Sequence, residues 1–301
     1  MAHAETHCEV MGDFGKLPLS ARVHVEFGAR AAKGRHHPVN GDHHLICRLG
    51  RSQEALLTSL PDEVIGGRFE EYGFGMIVAD GLGSAVESEA AARTAITTLA
   101  KLIVYFGKWN LRIDDDEIER EIKGRADRFY RHVDLALARE SVRGPVPNLQ
   151  TSLTSTFGAG DQLFFAHVGH TRAYLFRDRT LTQLTHDHTI ASRRTRAFSQ
   201  SPLIDVTVLT RDLTHFLEQT VGMSGSAGPR ADIGNFRLED SDQIVVCSNG
   251  VTDNVDDEAM TDILSSGRPP NELCETLVDL AMRTGGEDDA TALIARYRIP
   301  A

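Results

Sequence analysis

Two long helical stretches stand back to back between blocks of strand-like sequence, and that order restricts the fold more than any other feature of the chain. Residues 85–106 (AVESEAAARTAITTLAKLIVYF) contain neither Gly nor Pro and are rich in Ala and Leu, both good helix formers. Ser84 stands at the N-cap position, and Glu87 three residues on completes a capping box. A second helix is predicted over about 115–140. Asp114–Asp116 give it an acidic start, Ile118, Ile122, Phe129, Val133 and Leu137 form its apolar stripe, and Gly144-Pro145 ends it. Ahead of this pair, residues 20–28 (SARVHVEFG) and about 43–48 read as strands, and the run Met76–Ala79 reads as a buried strand halted at Asp80-Gly81. Residues 53–72 read as a connection. Behind the pair, residues 151–185 read as a hairpin and a further strand, with turns at Gly158–Asp161 and Asp178-Arg179. A helix over about 271–283 then precedes a final strand, ATALIARYR. Helices that do not alternate with strands predict an α+β architecture with antiparallel sheets and argue against βαβ units. GFGMIVADGLGS keeps no G-x-G-x-x-G spacing after a strand, so a dinucleotide fold is not expected.

The 301 residues carry 32 Lys+Arg against 43 Asp+Glu, a net charge of −11. Nucleic acid and anionic membranes both need a basic footprint, so neither is the expected partner. With 41% apolar and 25% charged residues the chain has the composition of a globular protein and not of a disordered one. Cys8, Cys47, Cys247 and Cys274 are far apart with no CxxC pair, which suits a reducing compartment. The first residues lack a basic n-region and an apolar h-region, and no run is long enough to span a bilayer. A cytoplasmic location is expected. The organisation expected is an N-terminal extension (1–19) followed by a single domain (20–301), with a flap-like excursion at about 187–235, where regularity is lowest.

Three segments end a strand-like run in polar turns: NGD (40–42), ADG (79–81) and SNG (248–250). Asp288-Asp289 lie just before the last strand. Hard divalent cations take oxygen ligands, which carboxylates and carbonyls beside Gly supply. Carboxylates drawn from distant segments repel one another unless a cation neutralises them. Taken singly, each pair reads as an ordinary turn; four at strand edges shift the weight toward a metal centre.

These segments also carry a resemblance. ADGLG (79–83), LQTSLTSTF (149–157), AHVGHTRAYLF (166–176), LTQLTHDHT (181–189), VCSNGVTD (246–253) and GGEDDAT (285–291) are similar, in order and spacing, to the successive motifs of the metal-dependent type-2C protein serine/threonine phosphatases of bacterial type. The likeness runs from about residue 20 to 298. It implies a β-sandwich of two antiparallel sheets flanked by helices, with two Mg²⁺ or Mn²⁺ ions in a cleft at one end. It also implies hydrolysis of phosphoserine and phosphothreonine by a metal-activated water, with phosphorylated proteins, and a serine/threonine kinase among them, as partners. Carried over by motif, Asp80 is the bridging ligand, the Gly81 carbonyl a backbone ligand and Asp288 a further ligand, with Asp289 at the usual Asn. Asp42 orders the attacking water, which makes Asp42 and Asp80 the catalytic pair.

Four positions depart from the pattern. Gly41 stands where a side-chain ligand is usual, which weakens the second metal site. Asn249 stands where SDG supplies a carboxylate; its amide oxygen still coordinates, with one negative charge fewer. His170 replaces the Asp of VGDSR, associated with an additional metal, and is kept as an additional candidate ligand. His37 occupies the place of the Arg that grips phosphate, and Arg35, on the same face of a regular strand, is its expected substitute. The alternative is therefore a degenerate phosphatase fold, weak or inactive, serving as a regulatory module that docks a phosphoprotein or kinase. Histidine crowds the region (His36, His37, His43, His44, His167, His170, His186, His188), which sets recruitment of a softer ion such as Zn²⁺ or Fe²⁺ by His37 or His170, or a phosphate contact by either ring when protonated, against plain surface and core roles. Arg193, Arg194 and Arg196 pose the same choice between an acidic partner and a solvated face.

Overall fold

The computed structural model describes residues 22–54, 56–57, 59–60, 68–106, 115–198, 213, 216–223 and 228–300. The N-terminal extension 1–19 lies outside the described residues. Among these the chain runs β1 (His24–Ala32), β2 (Asp42–Glu54), β3 (Arg68–Leu82), α1 (Ala85–Phe106), α2 (Asp115–Arg143), β4 (Gln150–Ala159), β5 (Gln162–Val168), β6 (Arg172–Arg177), β7 (Thr180–Gln183), α3 (Ile190–Phe198), β8 (Asp232–Arg237), β9 (Gln243–Cys247), α4 (Asn249–Thr252), α5 (Asp257–Ser265), α6 (Pro270–Thr284) and β10 (Ala290–Arg298).

The strands form two five-stranded antiparallel sheets, ordered β1-β10-β9-β6-β7 and β2-β3-β4-β5-β8. Period-2 alternation assigns each strand's two faces to different cores. In β3, Met76 and Val78 enter the core between the sheets, whereas Ile77 and Ala79 pack under α1 and α2. In β9, Ile244 and Val246 face the inter-sheet core, and Val245 and Cys247 pack under α5 and α6. The result is a sandwich with a helical layer on each outer face. Central strands apolar on both faces explain the continuous runs MIVA and QIVVC. The capping box of α1 is formed: the Ser84 amide donates to Glu87 Oε2 at 2.8 Å, and the Glu87 amide to Ser84 Oγ at 3.4 Å. The two-residue loop Asp178-Arg179 has positive φ at both positions (49° and 60°), the twist that closes a tight hairpin between β6 and β7.

One expectation needs correction. Both ends of 53–72 (residues 53–54 and 68–72) are strand, because β2 and β3 stay paired from Asp42↔Asp80 out to Glu54↔Arg68. Cross-strand polar pairs, such as Arg51 with Glu71 and Arg48 stacked over Tyr72, support this outer ladder, so no apolar alternation marks it. The stretch 187–235 is fastened to the sandwich at both ends. Thr189 bridges Leu217, Val221 bridges Thr151, and β8 adds an edge strand beside β5. Residues 199–212, 214–215 and 224–227 of that stretch lie outside the described residues.

Candidate metal centre

The candidate residues gather at one end of the sandwich because the strand ends that carry them coincide. Asp42 opens β2 and pairs with Asp80, which pairs in turn with Ser152 of β4. Asp80 continues the face of Met76 and Val78, so its carboxylate sits at the open end of the inter-sheet core. From the other sheet, Ser248 Oγ donates to Asp42 Oδ2 at 2.7 Å and accepts the Thr291 amide at 2.9 Å. Asn249, opening α4, donates from Nδ2 to Asp288 Oδ2 at 3.2 Å and to Asp253 Oδ2 at 3.3 Å. The Asp80 carbonyl accepts Thr151 Oγ1 at 2.8 Å. Asp80 Oδ2 and Asn249 Oδ1, both buried, have no hydrogen-bond partner among the described residues.

Burial, then the charges of Asp289 and Asp288, push the Asp42 carboxyl up to about 8, against the bonds from Ser248 and Thr291. Asp80 is pushed well up as well, by burial first and then by Asp42, Asp288, Asp289 and Asp253. Five carboxylates thus act on one another at the mouth of the fold. Buried acceptors normally find donors. Two orphaned acceptors among massed carboxylates make a donor set that fits a hard divalent cation and fits no neutral occupant.

Loop 34–41 is where sequence reasoning went furthest astray. It is not a regular strand. Asp289 clasps both its ends, Oδ1 accepting the Gly34 amide at 2.7 Å and Oδ2 the Gly41 amide at 2.6 Å. Arg35 therefore does not share a strand face with His37. Its Nη2 donates to the carbonyl of Met282 at the end of α6, 2.8 Å away, and its amide to Gly286. His37 Nδ1 lies 3.0 Å from Asp289 Oδ2 and 3.9 Å from Asp288 Oδ1. That hydrogen bond to Asp289 raises its pKa and favours the charged ring. His37, Asp288 and Asp289 together offer ligand atoms within 4.8 Å of one another. Gly41 has no room for a side chain: a Cβ there would meet Ser88 Oγ at 2.2 Å. The same turn of α1 presses on Gly81, where a Cβ would meet the Ser88 carbonyl at 1.9 Å. The ligand missing at Gly41 is thus the counterpart of a close helix approach.

His170, between β5 and β6, sits beside Asp80, Nδ1 to Oδ2 3.6 Å, and burial holds its pKa down. It lines a cleft of about 400 Å³ together with Arg172, Asp187, Asn249, Asp253 and α3 residues including Ser192 and Thr195. Arg172 grips Asp187 bidentately at 2.9 and 2.6 Å. Sequence reasoning missed Asp253, although its i, i+4 spacing from Asn249 on a short helix was the available signal. The other histidines take surface and core roles. His167 is fully buried between Thr154 Oγ1 (2.8 Å) and the Gly169 carbonyl (3.1 Å), and burial lowers its pKa to about 3. His186 and His188 both face Asp232, at 3.7 and 3.3 Å, and His43 faces Glu89 at 3.5 Å. In the basic cluster Arg193 pairs with Glu218 at 2.7 Å and Arg194 is exposed. The Arg196 side chain lies outside the described residues.

Comparison with known proteins meets this geometry. The serine/threonine protein phosphatase PstP of Mycobacterium tuberculosis is 30% identical over 224 residues, 73% of this chain and 40% of PstP. The chain thus spans well under half of that relative's length. The serine/threonine phosphatase stp of Listeria welshimeri is 26% identical over 226 residues, 74% of this chain and 84% of that protein. Among solved structures, the M. tuberculosis phosphatase PstP/Ppp superposes with a TM-score of 0.69 at 23% identity, covering 90% of this chain and 98% of its own. The PstP catalytic domain in complex with two manganese ions gives 0.67 at 23% identity, covering 92% of this chain and 99% of its own. At that identity the superpositions establish the sandwich fold alone. The family model described as protein phosphatase 2C matches residues 66–280, most of the described fold, and the chain belongs to that family.

Proposed function

We propose that this chain hydrolyses phosphoserine and phosphothreonine in proteins with Mg²⁺ or Mn²⁺ held at the end of the sandwich. One observation carries the reading: Asp80 Oδ2 and Asn249 Oδ1 are buried without partners among the described residues, inside a set of mutually repelling carboxylates. Asp80, the Gly81 carbonyl, Asn249 and Asp288 would hold the ions. When bound, such ions neutralise phosphoryl oxygens and make water acidic enough to attack near neutral pH. The chain's own groups do the positioning. Asp42, fixed by Ser248, accepts a hydrogen of the attacking water. His37, whose charged form the bond to Asp289 favours, stands on the loop that Asp289 clasps, and Arg35, on the same loop, keeps N–H donors beyond the one given to Met282. Both serve the incoming phosphate. A covalent nucleophile is not needed, and Cys247 does not supply one: it is fully buried, which pushes its thiol up to about 12.

The two manganese ions of the PstP catalytic-domain structure, and the phosphatase names of the relatives, support the choice of ion and substrate. The same reading gives the protein a cytoplasmic signalling role on phosphoproteins, including targets of a serine/threonine kinase. No helix among the described residues is long and apolar enough to cross a membrane. The test is turnover of an aryl phosphate and of a phosphothreonine peptide with Mn²⁺, in wild type and Asp80→Asn. Loss of the bridging charge should cost at least about a hundredfold, on the scale of a removed electrostatic stabiliser. Equal inertness of both proteins, with peptide still bound, would transfer the chain to the docking-module reading.

A further inference from the structure

We propose that His170 is a phosphate-binding residue, donating its Nε2–H to the phosphoryl group of the substrate, and is not a metal ligand. The inference rests on the reading of the cleft as a phosphatase site, but the local geometry makes its own case.

The hydrogen-bond network assigns the tautomer. The His170 amide donates to Ser152 Oγ at 3.2 Å, so this oxygen already accepts one hydrogen bond. Its own proton then has His170 Nδ1, 2.8 Å away, as acceptor. A neutral imidazole that accepts at Nδ1 carries its proton on Nε2. The protonated Nε2 cannot ligate a cation, and the lone pair of Nδ1 is taken by the serine hydroxyl, which would have to turn away before that nitrogen could ligate.

That Nε2–H has no partner among the described residues, although His170 is only 9% exposed. The Nδ1 edge of the ring is turned inward to Ser152 and Asp80, which leaves the Nε2 edge toward the cleft that the ring lines. The carboxylates that line the cleft with the ring are engaged. Both Asp187 oxygens hold Arg172, and Asp253 takes Asn249 Nδ2. The ring also stands beside the carboxylate at the heart of the proposed metal centre, 3.6 Å from Asp80 Oδ2. A tetrahedral dianion bound there brings several acceptor oxygens to a donor that has none. A neutral imidazole is suited to this task, since it polarises an oxygen without adding a charge that would attract a carboxylate instead.

The test compares wild type, His170→Phe and His170→Gln. Calorimetry measures binding of Mn²⁺ and then of inorganic phosphate to the Mn²⁺-loaded protein, alongside KM and kcat on a phosphothreonine peptide. Removing the donor should weaken phosphate binding and raise KM by about tenfold, the lower bound for a hydrogen bond to a charged group. Gln, which keeps an N–H near the same place, should recover most of that, and Mn²⁺ stoichiometry should be the same in all three. In wild type, nitrogen-15 NMR of the histidines should show the His170 proton on Nε2 and a shift of its resonance when phosphate is added. This readout survives even if a variant fails to fold. The proposal is overturned if the proton lies on Nδ1, if Phe binds phosphate as tightly as wild type, if Gln is as impaired as Phe, or if Phe loses an equivalent of Mn²⁺. A wild type that binds phosphate through His170 without turnover would sink the hydrolysis reading and leave this one standing.

Discussion

Substituting Asn249→Asp adds a carboxylate to a site that already holds five, and it should produce opposite effects with and without cation. In the cation-free protein the amide group donates to Asp288 at 3.2 Å and to Asp253 at 3.3 Å. Both bonds are lost, and like charges take their place. Hydrogen bonds to carboxylates contribute at least about 1.5 kcal/mol each. Asp253 is exposed and the Asp288 side chain about half exposed, so solvent screens both, and about half the sum, ~1.5 kcal/mol, is retained. At about 2–4 °C per kcal/mol for a chain of this size, melting in EDTA should fall by about 3–6 °C. With Mn²⁺ the new carboxylate becomes a charged ligand in place of an amide oxygen. A tenfold gain in affinity corresponds to about 1.4 kcal/mol, and linkage returns the same amount as stability at saturating ion. Melting curves of both proteins in EDTA and across a Mn²⁺ titration test this. The reasoning requires the variant to be less stable in EDTA and to draw level or overtake as Mn²⁺ rises. A loss of equal size in both conditions would show that no cation sits against Asn249.

Other outcomes follow from the same geometry. Gly41→Glu, the substitution that nominally restores a ligand, should destabilise the fold by about 2 kcal/mol and leave Mn²⁺ affinity unimproved, because its Cβ would lie 2.2 Å from Ser88 Oγ; pairing it with Ser88→Gly should recover part of the urea midpoint. Cation-free stability should fall as pH rises from about 6.5 to about 8. In that window Asp42, whose carboxyl is raised to about 8, and Asp80, raised for the same reasons, release protons in the folded state that the unfolded chain has already lost. His37, raised by Asp289, adds to the same slope, and His167, lowered to about 3, opposes it only weakly, near pH 6.5, where the unfolded ring is about half protonated. Urea midpoints in EDTA should therefore drop across the window and hold nearly level with Mn²⁺; a rise in EDTA contradicts the burial of the pair.

Where the chain obeys local rules, its structure is legible in the sequence. The Ser84–Glu87 box, the uninterrupted helix after it and the apolar runs leading to Asp80 and Cys247 follow from propensity, capping and alternation; their order gives antiparallel sheets, and the sandwich is what the family resemblance adds. The outer part of the β2-β3 ladder does not, because Arg51 with Glu71 and Arg48 with Tyr72 support strand pairing with residues whose pattern reads as loop. At the site, Asp42 and Asp80 could be named from their turns, but not the fact that they face each other in register. Loop 34–41 was misread because its shape comes from Asp289, a side chain 255 and 248 positions along the chain from its two ends, which no local pattern reports.

The departures from the family pattern, scattered in the sequence, are partnered in space. Gly41 makes room for Ser88; His37 pairs with Asp289, itself the acid at a usual Asn; Asn249 donates to Asp253 and Asp288; His170 is locked to Ser152. Two of these, His37 and Asn249, bring a positive charge or a donor toward carboxylates that bound cations would otherwise have to neutralise alone. Coulomb repulsion among the acids is thereby reduced before any ion arrives, and so is the electrostatic drive for the second ion, whose loss of a ligand at Gly41 acts in the same direction. The two orphaned oxygens are untouched by this rearrangement. On the proposed reading of the site, Asp80 keeps its demand for one ion while the demand for others relaxes, and calorimetric titration should show stepwise Mn²⁺ binding, one tight equivalent followed by a weaker one; two equal equivalents would refute the reasoning.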